Sequence, residues 1–191
     1  MNARDIPHFS TDEHLEVIDG LELAVEAIGQ AWRQPRQWKW VAIGVTMAVQ
    51  GLMVVVIDNG NDVLVQTEKD IEAFEHWYEH RQGPMPSGKL AGFWDLFDRV
   101  FPTKPVATEQ LGTIVRMRKR FVHFLPAGHA ESVVGLPHCV MGTCELMRQL
   151  LSRGRWFDPW QKARVEMLLA VLERNARSLE FEYRPEASPS Q

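Results

Sequence analysis

Cysteine is nearly missing from this chain: its 191 residues include two, Cys139 and Cys144. Two thiols in apolar surroundings, five positions apart, give neither a disulfide framework nor zinc-knuckle spacing, and read as small buried side chains. There is no Gly-rich phosphate loop, no G-x-S-x-G elbow and no H-E-x-x-H helix. Those absences remove P-loop, serine-hydrolase and zincin chemistries, and no cofactor is expected. Positive charge is not in surplus either. With a net charge of -4 the chain has no bulk attraction to nucleic acid, so any polyanion site must be a local patch. The first residues, MNARDIPHFSTDEH, lack an apolar signal core, which makes a cytoplasmic, reducing location the expectation. Strand-period alternation, internal repeats and a heptad seam are also missing.

What remains is helical. Apolar residues make up 45% and charged residues 24%, enough for one domain with its own core. The pattern predicts an all-α antiparallel helical bundle, with four to five core helices and a short inserted helix, over residues 1–182 and a disordered tail at 183–191. Ser10 to Glu13 has capping-box spacing ahead of a helix from Asp12 to Trp32, with Leu15, Ile18, Leu23, Val25 and Ile28 inward. A second helix runs from Gln37 to Ile57. Its segment from Trp40, WVAIGVTMAVQGLMVVVI, approaches the length of a membrane span. It is interrupted by Thr46, Gln50 and two glycines and stands alone, so the bundle centre is the expected place and no membrane is expected. Gln50 is then a buried amide in need of partners.

A third helix is expected from about Asp62 to Arg81, closed by the GPMPSG loop. A short helix at 90–101 carries Phe93, Trp94, Phe97 and Phe101 as a core or dimer stripe. Further helices are expected at 105–125, 137–152 and 159–181, the last opened by Asp158-Pro159 as N-cap and first-turn proline. That last helix is amphipathic with mixed charge, which suits core packing or a dimer face.

The most informative run is RMRKRFVHFLP, which places Arg116, Arg118, Lys119 and Arg120 just before His123. On an ideal helix Arg116, Arg120 and His123 stack in one polar row, with Lys119 one turn below the histidine. Such a strip suits phosphate. Arg118 falls instead among Ile114, Met117 and Phe121, on the apolar half. A guanidinium there needs either a buried acid or a cleft to point into, and both readings stay open. On a straight helix Arg118 and His123 point about 140° apart.

Arg118, four residues, then His123 resembles the R-x4-H signature of the HEPN superfamily. The longer run RMRKRFVHFLPAG is similar to the LRNxFIHFxPxG stretch of a bacterial HEPN-like family, and VVGLP at 133–137, WKWVAIGVTMAVQGLMVVVI and FWDLFDRVF also resemble it. The resemblance implies an all-α bundle working as a homodimer. It also implies a metal-independent endoribonuclease of toxin–antitoxin, phage-defence or RNA-processing type, partnered by RNA and by an antitoxin or another protein. In that setting the R-x4-H motifs of the two copies meet across the dimer in one cleft, with Arg118 and His123 as the catalytic residues, and the product is a 2′,3′-cyclic phosphate. Arg116, Lys119 and Arg120 are the RNA-binding residues. Lys119 stands where members commonly carry a short polar residue, which keeps a second reading: a non-catalytic HEPN-like module that binds RNA, nucleotide or protein. A more distant reading takes His76 and His80, one turn apart, as metal ligands, although no third or fourth ligand is evident.

Overall fold

The computed structural model describes residues 12–58, 62–122, 132–154 and 157–183. Among them the protein is all-α, with seven α-helices and no strand. These are α1 (Glu13–Ala31), α2 (Trp38–Ile57), α3 (Glu68–His80), α4 (Phe93–Val100), α5 (Thr108–Val122), α6 (Leu136–Arg153) and α7 (Pro159–Glu182). A 3₁₀ turn, Pro35–Gln37, leads into α2 and another, Asp62–Val65, precedes α3. Packing runs from α1 to α2, α2 to α5, α5 to α6, α6 to α7 and back to α1, so the bundle closes on itself. α2 also reaches α6 across the core, and α4 packs against α2.

The tightest seam joins α1 to α2, and small residues make it. A Cβ on Gly20 would lie 2.8 Å from the Gly44 carbonyl oxygen and 2.9 Å from the Ala48 nitrogen. The two backbones therefore touch, with Ala24 and Ala48 fully buried beside the glycines. The inward row of α1 is Val17, Leu21, Ala24 and Ile28, with Ile18, Gly20, Ala27 and Ala31. Of the five residues expected inward, Ile18 and Ile28 are buried, while Leu15, Leu23 and Val25 are half-buried. The cap differs as well. Asp12 accepts from the Leu15 N–H at 2.8 Å and opens the helix; Ser10 lies outside the described residues.

α2 is long and apolar enough to cross a membrane by length and composition, and 61% of its most apolar window is buried inside the bundle. Thr46 returns its hydroxyl to the Ala42 carbonyl at 2.7 Å, so the buried hydroxyl is satisfied within the helix. Gln50, expected to be a buried amide, is half-buried on the outer side. At the far end, the Trp38 indole donates to the Tyr183 hydroxyl at 3.3 Å. Tyr183, the first residue assigned to the tail, thus packs against the core; the rest of the tail lies outside the described residues.

The expected third helix is split. Thr67 caps α3, and Gln66 pairs with Leu90 in an isolated antiparallel bridge. The Arg99 guanidinium donates to the Leu64 and Gln66 carbonyls at 2.8 and 2.9 Å, which fixes the break. α3 buries no residue and packs chiefly on the turn before it. Its aromatics close on themselves: Phe74 faces Trp77 and Tyr78, and Arg81 lies 4.2 Å over the Tyr78 ring. Arg81 ends the helix in the left-handed region, at φ 53. The aromatic stripe of α4 divides: Phe97 and Phe101 are core, while Trp94 is 40% exposed. α7 opens as expected, with Asp158 and Gln161 capping each other reciprocally at 2.8 and 3.1 Å.

Ion pairs tie α7 to its neighbours. Arg164 donates two bonds to Glu22 of α1, at 3.1 and 2.5 Å. Glu173 receives Arg148 of α6 and Arg177 of its own helix. The bond from Arg148, more than any other cause, holds the Glu173 carboxyl below the usual carboxylate range. A depressed folded pKa adds stability that is complete above the unfolded carboxylate pKa and lost as pH falls through the folded one. Glu173→Gln is therefore expected to cost up to about 1 kcal/mol at pH 7, given partial solvent exposure. The difference from the parent chain should shrink as urea midpoints are measured at falling pH below about 4.5. A pH-independent difference would show that the carboxylate charge is not what matters there.

Candidate functional site

The candidate site lies along α5. Leu111, Gly112, Ile114 and Met117 are buried and press the helix against α2 and α6. Burial then fades along the same face. Leu111 and Ile114 are 0% exposed, Met117 is 4% exposed and Val122 is 46% exposed. The C-terminal half of α5 therefore rises out of the core. This placement decides how Arg118 sits. It continues the row of Leu111 and Ile114, yet it is half-buried, because the row has reached the bundle rim by that point. Its aliphatic stem can lie on apolar surface while the guanidinium reaches water. Among the described residues no carboxylate pairs with Arg118. The register-fixing Arg–acid pair, one of the two readings left open, is thus not found among them.

Arg116, Lys119 and Arg120 are exposed, as the polar row requires. Arg116 donates to the Thr113 hydroxyl at 2.9 Å, and Thr113 in turn donates to the Glu109 carbonyl at 3.2 Å. The guanidinium is thereby pre-positioned on the helix surface. His123 lies outside the described residues, so the second half of the R-x4-H pair is not placed.

The start of α6 adds groups to this face that the sequence did not connect with α5. The Gln110 amide nitrogen lies 3.5 Å from His138 Nε2, and His138 Nδ1 lies 3.7 Å from Glu180 of α7. Beside them Cys139 is half-buried. Burial pushes its thiol pKa up, against the opposing pull of the Thr113 hydroxyl and the Arg116 charge. Cys144, buried deeper, is pushed up to about 12 by desolvation. Both stay thiols near neutral pH, so neither is a ready nucleophile or metal ligand. No local pattern could have revealed this cluster, since three helices contribute to it.

The metal reading fares differently. The His76 and His80 rings stack with centroids 4.3 Å apart, and His80 Nδ1 sits 2.8 Å from the His76 carbonyl oxygen. Among the described residues no group of three or more His, Cys, Asp or Glu is placed to hold a metal ion.

No family model, curated protein or solved structure matches this chain.

Proposed function

We propose that this chain is a HEPN-like, RNA-acting helical protein whose α5 binds the phosphate backbone. Arg116, Lys119 and Arg120 are its binding strip, and Arg118 with His123 is its catalytic pair. The observation that carries this reading is Arg118. It is an arginine on the inward row of a core helix, half-exposed at the bundle rim, with no carboxylate partner among the described residues. Lone guanidinium groups at a rim suit a bidentate phosphate ligand. The exposed cations beside it extend the same polarity along the helix, in a chain whose total charge is negative. In this reading the protein acts in the cytoplasm, and a protein partner restrains it.

The strip is tested by RNA affinity against salt. Each phosphate neutralised on a single strand contributes about 0.7 to the slope of log K on log salt. Replacing Arg116, Lys119 and Arg120 together by alanine should flatten the slope by about 2 and weaken binding at low salt. An unchanged slope would remove α5 as the contact surface. Binding that survives His123→Ala, with no turnover in either protein, would favour the non-catalytic module.

A further inference from the structure

Among the described residues α3 is the one α-helix that buries no side chain. It meets the rest of the fold chiefly at its base. There the Lys89 N–H donates to the Asp70 carboxylate at 3.1 Å, and the Thr67 N–H donates to the Lys89 carbonyl at 3.0 Å. A helix of 13 residues is marginal in water unless something covers its apolar side, and the bundle does not cover this one.

The surface of α3 is divided by chemistry. Glu68, Glu72, Glu75 and Glu79 are spaced four, three and four residues apart, so they fall within one arc of about 60° on an ideal helix. All four are exposed, and among the described residues none of their carboxylates has an ion-pair or hydrogen-bond partner. Ile71, Phe74 and Tyr78 form a second row directly beside the acids. Phe74 stacks on Tyr78 with ring centroids 6.2 Å apart, and Tyr78 is 58% exposed. Arg81 shows what these rings accept. Its guanidinium lies 4.2 Å over Tyr78 and 4.7 Å over Trp77.

We propose that this side of α3 docks a basic amphipathic segment of another protein. The apolar residues of the segment lie on Ile71, Phe74 and Tyr78, and its lysines or arginines meet Glu68, Glu72, Glu75 and Glu79. Charge selects that occupant. A row of unpaired carboxylates repels RNA phosphates and anionic lipid, and α3 of a second copy would set acids against acids. The aromatic row supplies contact area, while the acids fix the sign and register of the segment. The inference does not draw on the RNA reading, since α3 and α5 are separate surfaces and its test reads peptide binding rather than cleavage.

The probe is a synthetic leucine–lysine peptide about as long as α3, patterned as an amphipathic helix and followed by fluorescence anisotropy at low salt. A leucine–glutamate peptide of the same pattern is its opposite. The lysine peptide should bind the wild-type chain with a micromolar Kd, and the glutamate peptide should not bind. Glu72→Lys, Glu75→Lys and Glu79→Lys combined should raise that Kd at least about tenfold. Asp19→Lys, Glu26→Lys and Glu166→Lys combined change the net charge equally at exposed acids outside α3, and should raise it less than about threefold. Tyr78→Ala should raise it at least about fivefold. Circular dichroism checks that each variant is folded. No binding of the lysine peptide overturns the proposal. So do equal effects of the two triple reversals, which would reduce the binding to bulk charge. Flotation of the wild-type chain with phosphatidylcholine vesicles, abolished by Tyr78→Ala, also overturns it by assigning the aromatic row to lipid.

Discussion

Gly44→Ala is expected to destabilise the protein by about 3 kcal/mol, at the upper end of what overpacking usually costs. That corresponds to a fall in Tm of about 6–12 °C for a domain of this size. The reason is the backbone contact between α1 and α2. A methyl at Gly44 would stand 2.9 Å from the Ala24 nitrogen and 3.2 Å from its Cβ, and closer still to the Gly20 carbonyl oxygen. None of these is the end of a flexible side chain, so the helices themselves must part. Parting them also loosens Ala24, Val45 and Ala48, all fully buried. Gly29→Ala is the internal control. It lies on the same α1, a Cβ there meets nothing within 4 Å, and alanine should add about 0.4–1 kcal/mol by restricting the unfolded chain. Urea unfolding at constant m-value measures both. A cost below about 1 kcal/mol at Gly44 would contradict the close seam.

If α5 is the ribonuclease site proposed above, His123→Ala is expected to lower RNA cleavage by about 10²–10⁴, the usual worth of a positioned acid or base. Arg118→Ala should lower it by about 10²–10³ through lost stabilisation of charge on the phosphate. RNA supplies its own nucleophile. Its 2′-oxygen bonds to phosphorus as the bond to the 5′-oxygen breaks, one proton leaving the 2′-hydroxyl and one reaching the 5′-oxygen. The protein has only to hold the phosphate and handle those protons. Arg118→Lys should recover little, because an ammonium cannot reproduce the bidentate fork. The angle of about 140° between the two side chains on a straight helix bears on who serves whom. If the pair is shared between copies, mixing the Arg118→Ala and His123→Ala proteins restores cleavage, since one composite site in each mixed dimer is intact. Inactivity of the mixture would contradict a site built from one copy's Arg118 and the other's His123.

Elements with local signals were legible from the sequence. Asp158 and Pro159 fix the start of α7 by themselves, and the GPMPSG loop and the all-round apolar α2 carry their own chemistry. Nonlocal features were not legible. α3 breaks at Gln66–Thr67 because that segment pairs with Lys89–Ala91, and no property of residues 62–81 announces the pairing. Of the residues expected inward on α1, Ile18 and Ile28 are buried, but Gly20 and Ala24 make the close contact with α2, and small side chains give almost no hydropathy signal. In α5 the period correctly set Arg118 apart from Arg116, Lys119 and Arg120. Its half-exposure comes from the helix rising out of the bundle, a tertiary fact. The grouping of Gln110, Thr113, His138 and Cys139 depends on α5 and α6 packing together.

The most direct measurement is end-group analysis of RNA incubated with the purified protein in EDTA. The α5 reading predicts fragments ending in 2′,3′-cyclic phosphate from the wild-type chain and none from His123→Ala. No fragments from the wild-type chain, or the same fragments from both proteins, would contradict it.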